Sequence, residues 1–372
     1  MRKKLALKWK WFYYSEYKLI HFMIPAIALL IMLMLLFNEN LLPSFEMKAV
    51  ALGVILYPFF DMTVYEYKRT YRLKAGLIAA VICALCYTFG SFIGQFGVVA
   101  VVLGLLVPVG LVIFSAELPA KLKGNGVFCS RLLTMGIGST TILHNTLRMG
   151  LFLFIGMAIM AGIYFVYYSI WARKIKRKEG VWHPHPHVLK KHFLNMNPRL
   201  FRYASGLYLT AVIAYLIAVY LSHLFPQWIE ARHTYWAPFF VFSMLQFNPN
   251  KKHSYNRVFH RFLGTFMGML IALAVVYGIH NVIVLNCVYI LYTLCFLGIA
   301  FNPKQYIHFA TASNAFVMMM YVVVMKVPMQ VIYFRMLETV IAVVMCIVCL
   351  LVFWPLLHAV MPLKDKHGEL LK

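Results

Sequence analysis

Apolar runs of about 20 residues follow one another along nearly the whole chain, broken only by short basic stretches, and this spacing constrains the fold more than any motif. A helix rises 1.5 Å per residue, so about 20 apolar residues cross the hydrocarbon core of a bilayer. Twelve such windows fit, at 19–37, 47–64, 74–93, 96–116, 126–144, 149–171, 203–224, 235–249, 262–280, 282–301, 306–325 and 331–358. No polar stretch between them is long enough for a separate soluble domain. The fold expected is all-α: a polytopic membrane protein of about 12 transmembrane helices. Composition agrees, because 63% hydrophobic and 12% charged residues leave too little polar surface for a water-solvated chain of 372 residues. The fifth window carries Arg131 and the run Ser139, Thr140, Thr141, so a broken or protein-enclosed helix is expected there rather than a lipid-facing one.

Charge placement sets the expected orientation. With the N terminus inside, 29 of the 35 Lys and Arg residues fall on the inner side, in accord with the positive-inside rule. The N and C termini and the central linker are then cytoplasmic. Trp171, Trp228 and Trp236 stand near window ends, and Trp9 and Trp11 precede the first window, where amphipathic aromatics anchor at the interface. The net charge of +24 punctuates apolar segments instead of coating one face, so no nucleic-acid partner is expected and membrane lipid is. The basic N terminus leads into an apolar run with no small-residue cleavage site, as a retained span does. All seven cysteines lie in or at the edge of apolar windows, which argues against a disulfide framework and for small packing residues.

The sequence repeats. A shift of 188 lays 52–82 on 240–270 and Gly76 on Gly264; a shift of 187 lays 147–160 on 334–347 and Arg148 on Arg335. Residues 1–171 and 203–372 each hold six windows, an even number, so both halves insert the same way and form two parallel six-helix repeats. Residues 172–202 form a basic, proline-bearing linker between them.

Within the second half, 233–270 opens with Tyr235, Trp236 and Ala237, passes a polar loop with Pro249, and continues through Arg261, Gly264, Thr265 and Gly268. This stretch resembles the fusaric acid resistance and aromatic acid exporter family, often called FUSC-like. The later Arg335, Glu338 and Thr339 look like that family's second signature. The first half is more diffuse, with Leu73 and Leu77 where the repeat places Arg261 and Thr265. Larger members carry cytoplasmic domains, so this chain resembles the compact, membrane-only form. The resemblance implies efflux of aromatic carboxylates and related amphipathic molecules across the bacterial inner membrane, often with a periplasmic adaptor protein. Plant malate channels are distant relatives, which keeps a passive anion channel in view.

Ionisable groups inside spans are costly and mark candidate pathways. Arg131, Asp61, Arg335 and Glu338 qualify. Arg335 and Glu338 are three apart on one helix face, where a local salt bridge and a substrate or proton role both fit. An Arg fork suits a carboxylate, and Tyr235 and Trp236 suit a ring; Arg261 could equally be a packing and topology residue. Thr311, Ser313 and Asn314 match the polar run of the fifth window in the other half, as lining or as interhelical hydrogen bonds. Substrate-path candidates are therefore Arg261, Arg335, Arg131, Tyr235, Trp236, Thr265, Thr311, Ser313 and Asn314, with Asp61 and Glu338 as proton-coupling candidates. His183, His185 and His187 alternate with proline in the linker without Cys or carboxylate neighbours, and Cys83-x-x-Cys86 and Cys346-x-x-Cys349 sit in apolar helices, so no metal and no cofactor is expected. No nucleotide loop or nucleophile motif occurs. The expectation is a non-enzymatic exporter of small organic anions driven by the proton gradient; the rivals are a passive anion channel and a non-transporting subunit of an envelope complex. A homo-oligomer fits any of the three.

Overall fold

The structure is a computed structural model that describes residues 44–64, 67–116, 123–138, 143–170, 198–227, 234–245, 251–300, 306–323 and 330–360. The first expected span, Ser139 to Thr141, Trp9, Trp11, Trp171, Trp228, Pro249 and the linker histidines lie outside the described residues.

Described secondary structure is helical, with no strand. In chain order the helices are α1 Ser44–Val64, α2 Arg69–Gly94, α3 Gly97–Gly104, α4 Leu106–Ala116, α5 Lys123–Gly138, α6 Leu143–Ile170 and α7 Pro198–Leu224. Then come α8 Trp236–Met244, α9 Lys251–Gly278, α10 Val282–Ala300, α11 Tyr306–Val323, α12 Gln330–Val348, a π-helical turn Cys349–Phe353 and α13 Trp354–Val360. Helices thus occupy every expected window from residue 47 onward. Five segments are long and apolar enough to cross a membrane: Arg69–Gly94, Asn145–Ile170, Phe201–Leu224, Tyr255–Gly278 and Tyr333–Leu357.

Boundaries differ from expectation where local chemistry intervenes. The fourth window is split at Leu105 into α3 and α4. α2 turns into α3 through Gly97 at φ +81, a backbone angle that glycine adopts without Cβ strain. α7 begins at Pro198, taking in the end of the expected linker; proline suits the first helical position because its missing N–H has no intrahelical partner there. α8 is a nine-residue helix buried along its whole length.

The long helices are small inside and large outside. On α2 the buried face carries Ala75, Gly76, Ala79, Ala80 and Cys83, while Leu77, Ile78, Val81, Ile82, Leu85 and Phe89 are exposed. On α9, Gly264, Thr265, Gly268 and Ala272 are buried and Phe259, Phe262, Phe266 and Leu270 are exposed. Water would drive the large side chains inward. Lipid does not, so backbones approach through small residues and the bulky ones face the tails. The cysteines follow suit in part: Cys83, Cys86, Cys129, Cys346 and Cys349 are buried, Cys287 and Cys295 exposed, and all seven are free thiols.

The chain divides into two compact units. Unit 1 comprises 1–88, 142–177 and 260–336; unit 2 comprises 89–141, 178–259 and 337–372. In unit 1, α1 and α6 run parallel. Glu46 bonds Arg148 near their starts, Gly53 and Gly156 let the backbones touch in the middle, and Tyr168 reaches Asp61 near their ends. Also in unit 1, Gly264 and Gly268 bring α9 against Ala310, Thr311 and Ala315 of α11, again parallel. α10 runs antiparallel to α11, with Phe296 stacked on Phe316 at 4.8 Å and close to Phe309 at 6.0 Å. In unit 2, Gly90 lies against the Leu133 backbone of α5, and Ser130 donates to the Pro108 carbonyl of α4 at 2.8 Å.

Candidate functional site

Three groups of polar side chains are set into apolar surroundings. The first is on α9 and α11 of unit 1. The contact of Gly264 and Gly268 with α11 is so close that a Cβ at Gly264 would lie 2.6 Å from the Ala310 Cβ. That approach brings polar side chains of the two helices into register. Asn314 Nδ2 donates to Thr265 Oγ1 at 3.0 Å and to the Ala310 carbonyl at 2.7 Å. Its Oδ1 is buried and accepts no hydrogen bond among the described residues. One turn earlier, the buried Arg261 places Nη1 3.5 Å from Ser313 Oγ. Of the expected path residues, the structure therefore gathers Arg261, Thr265, Ser313 and Asn314. Thr311 instead bonds back to the Ile307 carbonyl at 3.0 Å.

Thr265→Val keeps the shape of the side chain and removes the acceptor, while Asn314 keeps its Ala310 bond. A loss of only about 0.6 kcal/mol is expected, the usual size of one interhelical hydrogen bond in a membrane protein. Thermal unfolding of the purified variant checks this, and a loss several times larger would mean that Thr265 holds more than this bond.

The second group is in unit 2. Arg131, on α5, lies 6.0 Å from the Phe239 ring centroid. Trp236 meets Phe239 edge-on at 4.9 Å and lies tilted against Tyr235 at 4.8 Å, and the Tyr235 ring covers Gly138 so closely that a Cβ there would displace it. Arg131, Tyr235 and Trp236 thus belong to one aromatic cluster, with Trp236 fully buried. Apart from these groups, Arg335 and Glu338 are both buried on α12, beside the buried Thr339.

The third group is the one the sequence hid. Arg72, on the first turn of α2, donates from Nε to Asp61 Oδ1 at 3.2 Å and from Nη2 to Oδ2 in an ion pair. Tyr168 Oη donates to the same Oδ2 at 3.3 Å. The Arg72 guanidinium lies 3.6 Å above the Tyr168 ring, and Tyr164 and Tyr57 continue the row of rings at 5.9 and 5.6 Å. Arg72 reads in sequence as one more inner-loop charge. The available signal was positional: Asp61 closes one helix, Arg72 opens the next, and Tyr164 and Tyr168 are four apart on a third.

Residues 206–349 match the profile of a family described as fusaric acid resistance protein-like. Over this stretch the chain is FUSC-like. The FUSC-like segment runs from α7 through α12, and so holds Arg261, Thr265, Ser313, Asn314, Tyr235, Trp236, Arg335 and Glu338. Asp61, Arg72 and Arg131 lie outside it. Neither a curated protein nor a solved structure matches the chain. The apolar helices and the FUSC-like match indicate a multi-pass membrane protein, and the match suggests a transporter-type role.

Proposed function

We propose that this FUSC-like protein exports small aromatic or amphipathic organic acids across a bacterial inner membrane, driven by the proton gradient. The observation that carries the reading is the buried Arg261 beside Ser313, one turn from the open Asn314 Oδ1, on two helices inside the FUSC-like segment. An Arg fork gives a carboxylate two charge-assisted hydrogen bonds, and the neighbouring hydroxyl and amide offer a carboxylate or ring hydroxyl further ones. Arg131 beside Phe239, in a cluster with Tyr235 and Trp236, adds a cation next to aromatic rings. Glu338 or Asp61 is the proton-titrating group in this reading, and a periplasmic adaptor would carry substrate onward.

The architecture that goes with it has twelve spans in two parallel repeats, with the termini and linker inside. Helix directions support it: α1 and α6 are spans two and six and run parallel, α9 and α11 are spans nine and eleven and run parallel, and adjacent α10 and α11 run antiparallel. Unit composition supports the repeat. Unit 1 takes the second and sixth spans of the first half and most of its third with the third, fourth and fifth of the second, and unit 2 takes the first, second and most of the sixth of the second half with the fourth and fifth of the first. The fourth and fifth spans are exchanged in both halves, while both third spans fall mainly in unit 1.

The test is accumulation of a panel of aromatic acids in cells that lack or overproduce the protein. Overproduction should lower accumulation, and Arg261→Ala should cut export about tenfold or more, since charge-assisted hydrogen bonds contribute ~1.5–3 kcal/mol. Arg261→Lys, with a point charge in place of a fork, should fall between. Equal accumulation in all strains would overturn the exporter. Anion currents in a planar bilayer without a proton gradient would replace it with a channel.

A further inference from the structure

The Asp61–Arg72 pair lies outside the FUSC-like segment, and the exporter reading so far gives Arg72 no task. We propose that Arg72 and its row of tyrosines form a loading site for a monoaromatic carboxylate, in which the Asp61 carboxylate is the resident occupant that the incoming anion displaces. This rests on the reading that the protein moves organic anions.

Three observations support it. Asp61 engages the guanidinium through both of its oxygens, from Nε and Nη2, as a ligand carboxylate does on an arginine fork. The site is more than an ion pair, because Tyr168 lies under the guanidinium and the buried Tyr164 and Tyr57 extend the aromatic row, so a ring that takes the place of the Asp61 side chain enters aromatic surroundings. Location is the third: the last turns of α1 and α6 and the first turn of α2 meet here. Lys68, Arg69 and Lys74 stand exposed near it in sequence, and such basic residues concentrate anions close by. A staple between helices would need none of this, since a buried ion pair adds little over apolar residues of the same volume. In the loaded state the displaced Asp61 carboxylate pairs with the basic residues Lys68, Arg69 and Lys74, and when the anion departs it returns to Arg72, so both charges are neutralised in both states.

The experiment is isothermal titration of the full-length protein in lipid nanodiscs with sodium benzoate, and with sodium chloride at matched ionic strength. Asp61→Asn removes the competing charge at constant shape, and benzoate should bind about tenfold more tightly than to wild type, with no comparable gain for chloride. Asp61→Asn combined with Arg72→Gln should abolish the gain. Unchanged benzoate affinity in Asp61→Asn, an equal gain for chloride, or a gain that survives Arg72→Gln overturns the site. Should Asp61→Asn fail to fold, Arg72→Lys decides: benzoate affinity should drop several-fold in protein that is still folded at the titration temperature, and undiminished affinity overturns the proposal. These outcomes are independent of the export assay. Failure of export in cells sinks the exporter whatever benzoate does here, and failure here leaves Arg261 and the exporter standing.

Discussion

Arg72→Leu is expected to destabilise the protein by roughly 3–5 kcal/mol, the cost of leaving one charge of a buried ion pair without the other. Asp61 is 1% exposed and Arg72 2% exposed, so water cannot take the missing partner's place without opening the junction of α1, α2 and α6. The Tyr168 hydroxyl would remain as a donor, but a single neutral hydrogen bond does not replace a guanidinium held through two nitrogens. The double variant Asp61→Leu, Arg72→Leu should recover most of the loss, because it removes both charges and leaves apolar side chains in an apolar place. Thermal unfolding in nanodiscs measures both. A double variant as unstable as the single one would show that the ion pair itself, and not the orphaned carboxylate, holds the junction.

Gly156→Val should cost about 3 kcal/mol or more, at the upper end of what overpacking does. A Cβ at Gly156 would lie 2.2 Å from the Val50 carbonyl oxygen, and one at Gly53 would lie 2.5 Å from that of Leu153. These are contacts with backbone, which cannot swing aside as a side chain can, so α1 and α6 would have to separate along their length. Separation would also pull Tyr168 from Asp61 and Arg148 from Glu46. The same helix supplies a control in Gly162, which has nothing within 4 Å of an added Cβ. Gly162→Ala should be neutral or stabilising by up to ~1 kcal/mol, from helix propensity alone. The fraction of monodisperse protein surviving heating separates the two, and equal behaviour would mean that the parallel α1–α6 contact is not what orders this unit.

Much of the helical layout was legible because the signal for it is local. A window of 20 apolar residues reports on itself, and so does the alternation on α2 and α9 of small residues with bulky ones, which needs only a 3.6-residue period to be read. Gly264, Thr265 and Gly268 announce a close helix contact by their size alone. The expectation that α5 is enclosed in protein also came from its own residues, and Ser130, Leu132, Leu133 and Thr134 are buried. Pairing across the chain was not legible. Nothing in 44–64 names 143–170 as its neighbour, since two glycines per helix fit many partners. Arg131 and the Tyr235 and Trp236 rings come together through α5 and α8, a contact of residues about a hundred apart. Arg72 was hidden for a different reason: basic residues at the inner ends of helices are expected on topological grounds, so one with a structural partner looks like the rest.

The interleaving of the two halves bears on how the chain is made. Each compact unit draws segments from before and after the linker, and unit 1 is not complete in sequence until residue 336. The first half therefore leaves the ribosome with helix faces whose neighbours have not been synthesised, with α1 and α6 able to join but the places of α7 and α8 beside α3 and α5 still empty. Cut at the linker, the two pieces should each be short-lived alone and persist when made together, a dependence that a chain of two self-contained bundles would not have.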